Sequence, residues 1–257
     1  MKNKVILGDC LEIMKEIEDN FVDLTVTSPP YDNLRDYNGY SFDFEGIAKE
    51  LFRVTKEGGV VVWVVGDATV KGSETGTSFK QALYFKEIGF NLHDTMIWKK
   101  QTFTDTGSLR VRYGSVFEYM FIFSKGKIKK FNPIKDRKNK LPNAKKHGSI
   151  RQKDGTTKPQ SSIGKKANIY GQRFNVWEIN TEVSNLKRKH PAQFPEQLAQ
   201  DHIISWSNKG DLVLDPFNGS GTTTKMAKIL GRDYIGIEIS QKYCDIANKR
   251  LEQDVLF

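Results

Sequence analysis

The chain has 257 residues, 38% of them hydrophobic and 11% aromatic, enough to bury a sizeable core and too apolar for a disordered chain. Its densest apolar run, Val60–Val65, is six residues long and far short of a membrane span, and its two cysteines have no metal-site or disulfide spacing. The net charge of +9 is uneven: residues 124–173 hold 16 Lys and Arg against two Asp, while the remainder is acidic in balance, the pattern of a local anion-binding device.

Met1-Lys2-Asn3-Lys4 leads straight into a strand, leaving no room for a signal peptide; with unpaired cysteines this predicts a reduced, intracellular setting. Val5–Gly8 reads as that strand, ended by Asp9-Cys10, and Leu11–Ile17 as an amphipathic helix. A buried strand, Val22–Val26, delivers the string Thr27-Ser28-Pro29-Pro30-Tyr31. Residues 32–44 read as a polar and aromatic loop, and Phe44–Val54 as a helix. Gly58-Gly59 break the chain before a central strand, Val60–Val65, and residues 68–76 read as a small-residue loop. Phe79–Ile88 has helical spacing, while Asn91–Trp98 and Phe117–Phe123 read as an antiparallel pair at the sheet edge.

The basic segment, 124–173, has Pro133, Pro142 and Pro159 with little periodicity and reads as an inserted subdomain between parts 1–123 and 174–257. After it, Phe174–Ile179 resumes an apolar pattern, and Pro195–Ser207 reads as a helix with Pro195 in its first turn. The strand Leu212–Leu214 delivers a second string, Asp215-Pro216-Phe217-Asn218-Gly219-Ser220-Gly221-Thr222. A helix (Thr222–Leu230), a strand (Tyr234–Ile237) and a last helix (Gln241–Leu251) follow. The expected fold is α/β, a Rossmann-like and mostly parallel sheet, with both strings on the rim formed by the carboxyl ends of its strands.

Each string carries its own chemistry. In the second, glycines allow a tight turn and close approach of a ligand, and Glu238, 23 residues after Asp215, is placed to accept both hydroxyls of a ribose. The third glycine of the dinucleotide fingerprint is missing, since Thr224 stands there, so a nucleoside pocket fits better than a pyrophosphate cradle. In the first, Pro29 and Pro30 remove two amide donors and leave rigid carbonyl acceptors beside the Ser28 hydroxyl and the Tyr31 ring. Acceptors grouped beside an aromatic face suit the exocyclic amine of a planar base, whose lone pair is otherwise conjugated into the ring.

The two strings, their order and the basic region between them resemble the amino-methylating DNA methyltransferases that use S-adenosylmethionine, in the permuted order of the β class. The resemblance implies a catalytic site at Ser28, Pro29, Pro30 and Tyr31. It implies a cofactor pocket lined by Asp215, Pro216, Phe217, Gly219, Gly221 and Thr222, with Glu238 on the ribose and Asp9, next to Cys10, at the adenine amine. His190-Pro191-Ala192-Gln193-Phe194-Pro195 is similar to the segment that closes over the methionine end, which adds His190, Pro191 and Phe194. Residues 124–173 would hold most of the target-recognition region, with Lys129, Lys130, Arg137, Lys145, Lys146 and Arg151 as DNA contacts, extended by Arg110, Arg112, Lys187, Arg188 and Lys189. No metal is implied.

Direct transfer needs no covalent intermediate. Neither cysteine follows a proline, as methylation at carbon 5 of cytosine would require, so Cys10 and Cys244 read as core residues. Ser28 at the first motif position accompanies N4-cytosine enzymes more often than N6-adenine ones in the family, which favours cytosine and leaves adenine open. The resemblance further implies double-stranded DNA as partner, a homodimer and a cognate restriction endonuclease as possible associates, and a prokaryotic or phage-encoded cytoplasmic protein. The competing readings are a methyltransferase of RNA or of a protein amide, and a non-catalytic DNA-binding module.

Overall fold

Short buried runs separated by amphipathic helices build an eight-stranded sheet in the computed structural model, which describes residues 1–30, 42–101, 110–180 and 195–252. The chain begins β1 (Lys4–Leu7), α1 (Cys10–Lys15), β2 (Val22–Thr27), α2 (Phe44–Val54) and β3 (Thr55–Val65). A two-stranded turn, β4 (Thr69–Val70) with β5 (Ser73–Glu74), leads to α3 (Thr77–Glu87), β6 (Asn91–Lys99) and β7 (Phe117–Ser124). Four short strands follow, β8 (Arg137–Lys138), β9 (Ser149–Arg151), β10 (Thr157–Pro159) and β11 (Tyr170–Gly171). The remainder is β12 (Val176–Glu178), α4 (Glu196–Trp206), β13 (Leu212–Asp215), α5 (Thr222–Ile229), β14 (Asp233–Glu238) and α6 (Gln241–Glu252).

The large sheet has the order β1-β14-β13-β2-β3-β7-β6-β12. The pairs β1–β14, β14–β13, β13–β2 and β2–β3 are parallel, and β7 is antiparallel to both β3 and β6. Both faces are covered, which is why β3 reads as an unbroken apolar run. Val60, Val62 and Val64 enter one core with Leu198, Ile203 and Met226, and Val61, Trp63 and Val65 enter the other with Leu51 and Phe85. Among the described residues no helix is long and apolar enough to cross a membrane.

The structure departs from the sequence reading at several points, and residues 68–76, read as a loop, hold the β4–β5 turn. β3 begins at Thr55 rather than after the glycines, because Thr55 pairs with Val22 before a register shift. The β6–β7 pair is not at the edge, since β12 adds to β6 in parallel. Pro195 is the residue before the first turn of α4, not within it.

The described chain divides into two compact units, one of residues 1–132 with 175–257 and the other Pro133–Phe174. The first residues of the basic segment therefore belong to the large unit. Because β7 is antiparallel to β3, it ends at the rim where β2 and β3 begin. There Lys130 Nζ donates to Asp23 Oδ1 at 2.9 Å and Asp211 Oδ1 at 2.6 Å, and Lys125 Nζ donates to the Phe52 carbonyl at 2.8 Å. Lys130 is thus committed to an ion-pair cluster at the amino-terminal rim, and Lys129 lies beside it, its amide on the Gly58 carbonyl.

The unit Pro133–Phe174 is an antiparallel ribbon. Arg137 and Lys138 pair with Gly171 and Tyr170, Lys145 faces Lys166, and Ser149, Ile150 and Arg151 pair with Pro159, Lys158 and Thr157. None of its residues is buried.

Candidate functional site

Four neighbouring parallel strands, β1, β14, β13 and β2, end on one rim and carry Asp9, Glu238, Asp215 and Ser28 just at or beyond their ends. Val213 pairs with Leu24 and Leu214 with Thr25, so the two strings leave adjacent strands side by side. They are tied directly. Thr27 Oγ1 donates to Asp215 Oδ1 at 2.7 Å in a buried contact, and Thr223 Oγ1 donates to the Val26 carbonyl at 3.1 Å. A charge-assisted hydrogen bond of this kind fixes the spacing of the strings as well as joining them.

Asp215 is almost wholly buried, and burial pushes its carboxyl up to about 6, against the bonds from Thr27, Thr223 and the Phe217 amide that pull it down. Glu238 is also raised by burial; its two oxygens accept the Gly219 amide at 2.8 Å and the Ser240 amide at 2.9 Å. A carboxylate so placed orders the glycine turn and keeps lone pairs for hydroxyl donors. Gly219 and Gly221 have φ of +50° and +83°, which a side chain would strain, and a Cβ on Gly221 would stand 2.8 Å from Ala247 Cβ. One buried and one partly buried carboxylate beside a glycine turn accept hydroxyls or a cation and repel phosphate. The residues therefore fit a sulfonium nucleoside and not a dinucleotide.

Asp9 caps α1, its Oδ1 accepting the Leu11 amide at 2.8 Å and the Glu12 amide at 3.3 Å, which leaves Oδ2 outside the cap. The Gly8 amide donates to the Glu238 carbonyl at 3.0 Å, so Asp9 and Glu238 are held next to each other. Burial pushes the Cys10 thiol up to about 12 and the Cys244 thiol up to about 11, so neither is a nucleophile. Phe217 packs edge-on against Phe42 and Trp63. Ser28, Pro29 and Pro30 lie on the rim with Pro29 buried, and Pro216 and Thr222 are buried in the second string. Tyr31, His190, Pro191, Phe194 and Lys187 to Lys189 lie outside the described residues. Arg112 is engaged by the Gly72 carbonyl and Glu74, whereas Arg110 is exposed.

One contributor was invisible in the sequence. Arg250, in the last turn of α6, donates through Nη1 to the Ser220 carbonyl at 2.7 Å and Ser220 Oγ at 3.1 Å, and through Nη2 to Glu196 Oε1 at 2.6 Å. Lys225 Nζ reaches the same Glu196 oxygen at 2.7 Å. Burial would raise the Glu196 carboxyl, but the two cations outweigh it and hold it below the usual range. Arg250→Gln is expected to weaken binding of a nucleoside cofactor roughly tenfold by loosening the glycine loop, with partial recovery in Arg250→Lys; titration calorimetry of both variants checks this.

A family model described as DNA methylase (N6_N4_Mtase) matches residues 22–249. The chain is 59% identical over 256 residues to the orphan methyltransferase M.BamHII of Bacillus amyloliquefaciens, covering 95% of this chain and 94% of that protein. It is 30% identical to the type II methyltransferase M.HpaI of Haemophilus parainfluenzae, covering 99% and 76%. Among solved structures, the complex of M1.HpyAVI with SAM matches with a TM-score of 0.67 and 25% identity over 97% of this chain and 99% of that one. The cytosine-N4-specific PvuII DNA methyltransferase matches with a TM-score of 0.70 and 21% identity over 98% and 87%, a likeness of fold.

Proposed function

The chain belongs to the N6/N4 family of DNA methylases, which use S-adenosylmethionine, and from that premise we propose that it methylates N4 of cytosine in duplex DNA at a specific sequence. That it is a DNA amino-methyltransferase follows from the family; the base, the site residues and the partners are our reading. The observation that carries the reading is the buried 2.7 Å bond between Thr27 and Asp215, which sets the amine-orienting string against the cofactor string.

When bound, S-adenosylmethionine supplies a methyl carbon made electrophilic by the sulfonium. Asp215 and Glu238 would provide the acidic wall that favours this cation and the ribose hydroxyls, and Asp9 Oδ2, outside the α1 cap, would accept the adenine amine. The Ser28 hydroxyl and the Pro29 carbonyl accept the two N–H bonds of the target amine, drawing its nitrogen towards tetrahedral geometry and freeing the lone pair. With the donor bound, the nitrogen so oriented would take the methyl group while the donor's sulfur keeps the bonding pair, and the amine's proton would pass to solvent. Ser28 is neutral and offers weaker acceptance than a carboxylate would, which suits an amine that needs orientation alone. Extruding the base costs a few kcal/mol, and stacking on Tyr31 at roughly 1–3 kcal/mol offsets it.

Incubation with labelled S-adenosylmethionine and mixed-sequence duplex, followed by digestion to nucleosides, tests the reading. N4-methylcytosine is the expected product. N6-methyladenine would correct the base, and label in neither would overturn the function. Tyr31→Ala is expected to lower the single-turnover rate roughly 10- to 100-fold, the worth of one stacked base, while cofactor affinity stays within twofold.

The pairing of two copies and an associated restriction endonuclease also belong to this proposal. The type II name of M.HpaI favours the second and the orphan name of M.BamHII speaks against it; sedimentation and inspection of adjoining coding sequence address each.

A further inference from the structure

The ribbon Pro133–Phe174 has 12 Lys and Arg against two Asp and no buried residue. A two-stranded ribbon without a covered face is marginal in water. This one is worse than marginal, because Lys145 is placed directly opposite Lys166, with Lys146 and Lys165 alongside. Like charges facing across strands destabilise the pairing. Among the described residues no lysine of the ribbon makes an ion pair, the pairing there being that of Arg173 with Asp136. Such a surface is built for a polyanion that supplies the missing counter-charge.

The tip differs from the shaft. Its turn is locally determined: Asp154 Oδ1 accepts the Thr156 amide at 2.9 Å and Thr156 Oγ1 at 2.7 Å, the Gln152 amide donates to the Thr156 carbonyl at 2.7 Å, and Gly155 takes φ of +84°. Around this fixed turn stand Arg151, Gln152, Lys153, Lys158 and Gln160. Arg and Lys are the side chains that pair with guanine O6 and N7, and Gln pairs with adenine N6 and N7. The major groove, about 12 Å wide, admits a two-stranded ribbon and shows a distinct donor and acceptor pattern for each base pair, whereas the minor groove, about 6 Å wide, separates little more than A·T from G·C.

We infer that the ribbon enters the major groove of the substrate duplex tip-first, that Arg151, Gln152 and Lys158 read base edges, and that the shaft lysines hold phosphates. This rests on the DNA-methylating reading above and specifies which residues select the sequence. Asp154 is a positioning residue in this scheme, since it holds the turn that aims them.

The test maps every methylated position in a plasmid of mixed sequence after treatment with the wild type and with Arg151→Ala, Gln152→Ala, Lys158→Ala, Asp154→Ala and the shaft variant Lys145→Ala. Arg151→Ala, Gln152→Ala and Lys158→Ala are each expected to relax the sequence requirement at a defined position, with preference for the original base falling roughly 5- to 150-fold, and Asp154→Ala to relax the positions read by all three at once. Lys145→Ala is expected to weaken methylation of all sites evenly and to flatten the salt dependence by about one unit of slope. Replacing guanine by 7-deazaguanine, which removes N7, should lower wild-type affinity and leave that of Arg151→Ala or Lys158→Ala unchanged. Tip variants that weaken every site evenly while keeping the wild-type sequence preference would overturn the inference. A wild type that methylates no DNA base would instead overturn the underlying function, so the two failures are distinguishable.

Discussion

Asp215→Asn is expected to make the protein more stable and less able to bind its methyl donor. The rise of the Asp215 carboxyl from an ordinary 3.8 to about 6 corresponds to up to about 3 kcal/mol that ionisation costs the folded state. The sign follows from linkage. The folded chain holds this proton more tightly than the unfolded one, so stability falls as pH rises from about 4 to above 6, and the loss is complete at pH 7.5. An amide carries no such cost and still presents an oxygen to Thr27 and Phe217. Thermal unfolding without cofactor at pH 7.5 should therefore show Tm raised by roughly 5–10 °C, with the advantage vanishing below about pH 4. Cofactor affinity should fall roughly 10- to 150-fold, the worth of a charge-assisted bond. A variant that is less stable at pH 7.5 would mean that the buried carboxylate is a structural need rather than a functional one.

The second large effect is at Gly221. Gly221→Ala forces a side chain into a left-handed backbone, at about 1–2 kcal/mol, and drives its Cβ to 2.8 Å from Ala247 Cβ and 3.1 Å from Ala247 Cα. Overpacking of that kind adds about 1–3 kcal/mol. Gly210→Ala is the control, since Gly210 has a similar φ of +81° but open space where the Cβ would go. Urea denaturation should show Gly221→Ala losing roughly 2–5 kcal/mol and Gly210→Ala only the backbone part. Gly221→Ala should also lose cofactor affinity, and Ala247→Gly in that background should recover part of both. Equal losses at the two glycines would show that α6 does not press on the loop.

Much of this was legible because the runs around β2, β13 and β14 are short, apolar and bounded by glycine or proline, which leaves little freedom in reading them. The coexistence of the strings on one rim also followed from strand direction. What could not be read was pairing at long range. The bond between Thr27 and Asp215 spans 188 positions, and nothing local to either residue encodes it. Arg250 is one arginine in an unremarkable helix, and its role exists because Ala247 and Arg250 bring one face of α6 against the loop. The basic segment looks uniform as a string of lysines. Only the reversed direction of β7 separates Lys125 to Lys130, which support the large unit, from the ribbon beyond Pro133. β12 has three residues, too few for any periodicity to announce it.

The order of strands in the sheet has a consequence for biosynthesis. In the large sheet β1 is hydrogen-bonded to β14 alone, and β2 lies between β13 and β3. A nascent chain that has emerged through β7 therefore carries an N-terminal strand without its neighbour and only the first of the two strings. At about 5–20 residues per second, roughly 6–23 s of further translation pass before β14 is complete. Until then the growing polypeptide lacks β13, α5 and β14, the elements that carry Asp215, the glycine turn and Glu238.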